Sequence, residues 1–148
     1  MDTFDLVIVG AGNAALSAAI SAKENGAKNI LVLEKASKKD RGGNSRYTNG
    51  AYRFAYEGFS DLKKIIPNLK HTKKIDYGKY TSSNFLRDMN KVTQGKTDKY
   101  LSKTLTSKSF ETIHWLSKKG LKFKPIKGRQ SFKVNGIMKY WGGLTLEV

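Results

Sequence analysis

The chain has 148 residues, enough for one domain with a real core. It has no Cys, which excludes disulfides, a thiol nucleophile and any cysteine-based metal centre; its two histidines, His71 and His114, lie far apart with no carboxylate cluster, so no metal is expected. Twenty-eight basic residues against twelve acidic ones give a formal charge of +16, unevenly placed: residues 1–34 carry two basic and four acidic groups, or −2, and residues 35–148 carry +18.

Residues 4–35 set the organisation of the chain. Phe4, Leu6, Val7, Ile8 and Val9 form a short apolar run of the kind expected of a parallel strand buried on both faces. Gly10-Ala11-Gly12-Asn13-Ala14-Ala15 follows as a glycine turn opening an alanine-rich helix to about Asn25, with Gly26 as its C-terminal cap. Asn29 to Leu33 reads as a second strand, with Glu34 at its carboxyl end.

Each part suits a dinucleotide. Gly10 permits the tight turn, Gly12 lets a pyrophosphate approach the backbone, and the small Ala15 lets helix and strand pack closely. The free N–H groups and the positive end of the helix dipole face the phosphates. Glu34 stands 24 residues beyond Gly10, where an acid accepts hydrogen bonds from a ribose, and its charge disfavours a 2′-phosphate. FAD and NAD both satisfy this local pattern. The competing reading is a glycine turn in some other α/β domain, with Glu34 a solvated strand-end carboxylate.

Residues 36–45 form a polar loop in which Gly42-Gly43 lets the backbone bend closely. Asn44 and Ser45 offer hydrogen bonds and are placed to cap a short helix through Arg46-Tyr47-Thr48. Asn49-Gly50 is a turn signal before the aromatic-rich Ala51-Tyr52-Arg53-Phe54-Ala55-Tyr56. A second small-residue patch so soon after Glu34 is unusual for a plain NAD domain and suits a long cofactor lying extended over a sheet.

Beyond these, residues 60–66 predict a short helix ended by Pro67, and residues 70–80 an exposed basic loop. Residues 82–93 predict a helix with Phe85, Leu86, Met89 and Val92 on one face. Residues 98–119 predict a longer helix whose Leu101, Leu105, Phe110, Ile113, Trp115 and Leu116 make core contacts, ended by Gly120. Residues 121–126 and 130–140 alternate as strands or a hairpin, with Asn135-Gly136 as the turn. A soft boundary falls near residues 57–60.

Taken together, Gly10 to Ala15, then Val32-Leu33-Glu34-Lys35, then Gly42-Gly43-Asn44-Ser45 and Thr48-Asn49-Gly50 resemble the FAD-binding start of the fumarate reductase/succinate dehydrogenase flavoprotein superfamily. Arg41 to Arg46, Arg53 to Tyr56 and the closing Trp141-Gly142-Gly143-Leu144-Thr145-Leu146-Glu147 look most like its tricarballylate dehydrogenase-type branch. The resemblance implies an α/β, Rossmann-like FAD-binding domain, of which residues 1–58 are the incomplete N-terminal part and residues 59–148 a mainly helical insertion leading back towards it. On this reading the chain is the N-terminal piece of a longer flavoprotein.

Residue roles follow from the resemblance. Gly10, Gly12, Asn13 and Ala14 would line the pyrophosphate, and Glu34, with Lys35 beside it, would hold the adenosine ribose. Gly42 and Gly43 bend the second loop, and Gly43, Asn44 and Ser45 would contact phosphate and ribityl oxygens. Thr48, Asn49 and Gly50 would run beside the isoalloxazine, although many members carry two small residues where this chain has Asn49-Gly50. No His occurs between Arg41 and Arg53, so noncovalent FAD is expected. The family's chemistry is hydride transfer between flavin N5 and a carbon next to a carboxylate. Its substrate-holding Arg and His motifs have no match here; Arg41, Arg46 and Arg53 are available cations, and no residue is assigned a catalytic role. The implied substrate is a small di- or tricarboxylate.

The charge asymmetry fits a lysine-rich solvated surface, steering of small anions, or nucleic acid binding. Lys outnumbers Arg 23 to 5 and is dispersed, which leaves nucleic acid the least favoured partner. The first apolar run is too short for a signal peptide, and Asp2 and Asp5 replace its positive start. No stretch approaches the ~18–20 apolar residues of a membrane span. A cytoplasmic location is the expectation.

Overall fold

The computed structural model describes residues 2–128 and 130–148. The chain divides into two units, Met1–Asn49 and Gly50–Val148.

In the first unit the apolar runs become strands β1 (Leu6–Val9) and β2 (Ile30–Leu33), paired in parallel with Leu6 opposite Ile30 and Val9 opposite Leu33. Helix α1 (Asn13–Glu24) connects them. It ends as its sequence predicts: Gly26 takes φ +97°, its N–H donates to Lys23 O, and the N–H of Ala27 donates to Ala22 O, the paired bonds of a Schellman cap. The Asp5 carboxylate accepts from the N–H groups of Lys28 and Asn29 at 2.7 and 2.9 Å, tying the start of β1 to the loop before β2. Those two bonds, Asn29 first, hold its carboxyl below the usual carboxylate range.

The expectation of strands buried on both faces is corrected. Val7 is 49% exposed, Val9 84% and Leu33 47%, and α1 buries no residue fully. The parallel pair has only two strands, with one helix in contact with them. Two strands and one helix are too few to enclose the pair.

The core lies in the second unit. Its elements are β3 (Tyr52–Arg53), α2 (Phe59–Ile65), α3 (Ser82–Val92), α4 (Lys99–Lys118), β4 (Lys124–Pro125), β5 (Ser131–Val134), β6 (Ile137–Tyr140) and β7 (Thr145–Glu147). Strand β7 runs between β3 and β4, antiparallel to both; it carries the fully buried Leu146, and the fully buried Leu144 directly precedes it. Strands β5 and β6 form a hairpin whose Asn135 and Gly136 take φ 50° and 77°, as a two-residue type I′ turn demands.

The tyrosines knit this unit together. Tyr56 and Tyr80 exchange backbone hydrogen bonds at 2.8 and 2.9 Å. The Tyr56 hydroxyl donates to Tyr77 O at 2.7 Å and accepts from the N–H of Leu144 at 2.9 Å, so one side chain joins segments 88 residues apart. Burial pushes that hydroxyl up to about 12. The Tyr80 hydroxyl donates to Asp88 on α3 at 2.7 Å. The exposed loop expected over residues 70–80 is therefore corrected: Tyr77 and Tyr80 are buried, and the backbone of Lys74 and Asp76 pairs with Met138.

Helix α4 differs from its apolar pattern. Leu101 is 65% and Leu105 53% exposed, while Ser102, Thr106, Ser109 and Ile113 form the buried face. The cause is close approach of backbone. Ser109 Oγ accepts from the N–H of Ala55 and donates to Thr106 O, both at 2.9 Å, and Ser82 Oγ donates to Thr106 O at 3.1 Å. Small hydroxyl side chains fill that contact and satisfy its polar groups; a leucine would not. Phe110 and Leu116 do pack on the core, but Val92 of α3 is 83% exposed. His71 is exposed with its ring edge-on to Phe59, and His114 is half-buried beside Phe110.

Replacing exposed Leu105→Gln should cost less than about 0.5 kcal/mol, whereas Ile113→Ala should cost about 2–5 kcal/mol; denaturant midpoints of the two variants check the difference. Helix α3 ends in the same Schellman geometry as α1, but with Gln94 at φ 53° in place of glycine. Gln94→Gly should stabilise by about 0.5–1 kcal/mol, read as a raised midpoint at unchanged denaturant slope.

Candidate functional site: the glycine turn of the first unit

Gly10 takes φ +104°, a conformation that L side chains rarely adopt, and its N–H donates to Leu33 O at 2.6 Å. The chain thus turns sharply off β1 while still bonded to β2. Glu34 then closes the turn. Its Oε2 accepts from the N–H of Ala11 and its Oε1 from the N–H of Ala36, both at 2.9 Å. These bonds, Ala36 first and Ala11 second, hold the carboxyl below the usual carboxylate range. The backbone of Gly42 and Lys35 adds weaker hydrogen bonds in the same direction, so the carboxylate draws together the turn, the end of β2 and the second loop.

The second loop meets the turn directly. A Cβ on Gly12 would lie 3.2 Å from Gly42 O and 3.4 Å from Ser45 Oγ. The missing side chain makes room for the chain's own backbone as well as for any phosphate. Ser45 Oγ accepts from the N–H of Asn13 at 3.0 Å, satisfying a first-turn donor of α1 from 32 residues away. Gly42 and Gly43 bend the loop with φ 111° and 53°. Its shape is fixed further by Ser37 Oγ donating to Asp40 and by an Arg46–Asp40 ion pair at 3.2 Å.

The structure thus brings together Gly10, Gly12, Asn13, Glu34, Gly42 and Ser45. Ala14 belongs to the first turn of α1, whose N–H groups lack partners within the helix. Gly43 and Asn44 begin the 3-10 turn Gly43–Tyr47, which takes the place of the short helix capped by Asn44 or Ser45: Gly42 precedes it and no side chain caps it. Lys35, Asn44 and Asn49 are exposed, and Thr48 folds back on Ser45 O. Gly50, with φ 65°, opens the second unit. The contributions of Ala11 and Ala36 had no side-chain signal; only their backbone N–H groups act.

The fit to a dinucleotide can be judged on this geometry. Glu34 and Ser45 engage the amides of Ala11 and Asn13, and the first turn of α1, with Ala14 in it, presents the positive end of the helix dipole, where a phosphate would be received. Glycines stand where the two loops cross. The residues present fit the pyrophosphate and ribose of such a group.

Comparison with known proteins agrees. A family model described as FAD binding domain matches residues 5–141. The chain is 31% identical over 144 residues to a protein named fumarate reductase (cytochrome) from Shewanella frigidimarina, covering 96% of this chain and 22% of that one. It is 29% identical over 129 residues to a vinyl phenol reductase from Lactiplantibacillus plantarum, covering 84% of this chain and 22% of that one. The chain therefore spans about a fifth of the length of these curated relatives. No solved structure matches.

The depressed Glu34 pKa has a definite sign. The carboxylate bonds are complete above the ordinary glutamate range and are lost as pH falls through the lowered value. The backbone N–H signals of Ala11 and Ala36 should titrate together in NMR, with a midpoint below the ~4.3 of a free glutamate. In Glu34→Gln, which offers one acceptor oxygen in place of two, at least one of those signals should move to its low-pH position at neutral pH.

Proposed function

We propose, since this chain belongs to the FAD binding domain family within the fumarate reductase/succinate dehydrogenase flavoprotein superfamily, that it forms the FAD-binding part of an oxidoreductase acting on a small di- or tricarboxylate. The observation that carries the reading is the double closure of the glycine turn, by Glu34 on one side and Ser45 on the other. A bare glycine turn would need only its own φ angles; two loops crossing at Gly12 make a cradle for an extended cofactor.

In this reading Gly10, Gly12, Asn13 and Ala14 receive the pyrophosphate, and Glu34, flanked by Lys35, receives the adenosine ribose. Gly42, Gly43, Asn44 and Ser45 follow the phosphate and ribityl chain, and Thr48, Asn49 and Gly50 run beside the ring system. Residues 1–58 supply the N-terminal part of a Rossmann-like domain and residues 59–148 the mainly helical insertion. Bound FAD supplies the redox chemistry. The protein's share is to hold the cofactor and to set the field around it. With no His between Arg41 and Arg53, FAD is held noncovalently. The anionic substrate class is favoured over a neutral alkene by charge: the second unit has 21 basic and 7 acidic residues, a net of +14. Among the described residues no helix is long and apolar enough to cross a membrane. The cytoplasmic setting belongs to the proposal and rests on the cysteine-free composition.

The test is an absorbance spectrum of the purified chain after incubation with FAD and gel filtration. Retained bands near ~370 and ~450 nm, released to the supernatant on acid precipitation, are expected of a noncovalent flavoprotein. Gly12→Val should abolish retention, because its side chain collides with Gly42 O. A folded, monodisperse wild-type chain that retains NAD and no flavin would overturn the FAD reading.

A further inference from the structure

Three clefts formed by described residues of the second unit differ in the charge of their linings. One, of about 470 Å³, includes the Asp76 carboxylate, which disfavours anions. Another, of about 510 Å³ between α3 and α4, has Leu86 as its only large apolar residue. The third, of about 560 Å³, has an apolar floor and a cationic rim with no acidic residue in its lining. It lies between the end of α2, the last turns of α4 and the segment entering β4.

The floor is Ile65 and Phe123, only 4% and 6% exposed and part of the core, with Leu121 packed against them. The rim carries Lys118 and Lys122 with the half-buried ring of His114. Lys64 also lines the cleft, but its charge is engaged by Asp61 at 2.9 Å. Lys118 has a structural role available to it, since a cation complements the carbonyl end of α4. Lys122 lies beyond that helix and has no such role. Among the described residues neither Lys118 nor Lys122 forms an ion pair.

We propose that this cleft binds an organic anion with a compact apolar body, such as an aromatic carboxylate. The size and lining suit that class: mostly apolar walls bury the body, and a few convergent polar groups orient the charge. The body rests on Phe123 and Ile65, and the carboxylate reaches Lys118 and Lys122. An inorganic anion would leave the floor unused, and a neutral hydrocarbon would leave the two ammonium groups unused. The proposal is independent of the cofactor reading, since it rests on residues of the second unit alone.

The test is titration of the full chain with naphthalene-2-carboxylate, followed through backbone amide NMR signals. Saturable shifts are expected at residues 65, 66 and 68 and at residues 118–123. Affinity should fall at least about tenfold in the double variant Lys118→Glu/Lys122→Glu, and less steeply in Lys118→Gln/Lys122→Gln. Both side chains are exposed, so the fold is retained. Lys103→Glu, at an exposed lysine of α4 outside this cleft, should leave affinity unchanged. Naphthalene-2-carboxamide, the same body without the charge, should bind at least about tenfold more weakly than the carboxylate. The proposal is overturned by equal weakening in Lys103→Glu, which would show diffuse attraction to net charge. It is overturned equally by equal binding of the carboxamide, or by shifts confined to residues outside the cleft.

Discussion

The carboxylate of Glu34 is the constraint on which the first unit depends. A parallel strand pair bonds along its length, but the chain leaving β1 must reverse into α1 without a side chain to guide it. Glu34 performs that guidance from the neighbouring strand, accepting one N–H from the turn and one from the loop beyond itself. One charged group thus sets the path of both segments, and its depressed pKa is the electrostatic record of that work. Ser45 extends the arrangement to the second loop by taking the first free donor of α1. The crossing of the two loops is held by the protein's own hydrogen bonds, so its order is set in folding.

Much of this was legible in the sequence because the relevant signals are local. A strand, a glycine at a turn, an alanine-rich helix and a glycine stop follow each other within 35 residues, and each leaves a pattern of composition or periodicity. The same is true of α3, α4 and the Asn135-Gly136 hairpin. What sequence reasoning could not supply is contact between distant segments. The bond from Asn13 to Ser45 has no periodic trace. Neither does β7, whose three residues are too short to show alternation yet run between two other strands.

The errors of burial have a common cause. Apolar periodicity assumes that the face rich in leucine is the face that packs. On α4 the neighbouring element is backbone, so the residues that fit are Ser102, Thr106 and Ser109, and the leucines fall to the side. On β1 and β2 the apolar run is real, but two strands and a helix do not bury it. The basic loop over residues 70–80 misleads in the opposite direction: its lysines signal solvent, while Tyr77 and Tyr80 anchor it in the core.

The turn before β7 carries a consequence for how this sequence can change. Gly143 sits so close to Tyr80 that a Cβ there would lie 2.5 Å from the ring's Cγ. The same tyrosine holds Asp88 on α3 and shares a backbone pairing with Tyr56. Position 143 is therefore not free to drift while position 80 stays aromatic. A side chain at 143 would need a smaller residue at 80, giving up the anchor of α3, and would still be strained by its own backbone at φ +80°. The demand runs one way across 63 residues: the aromatic ring at 80 requires glycine at 143, while the backbone at 143 favours glycine for a reason of its own.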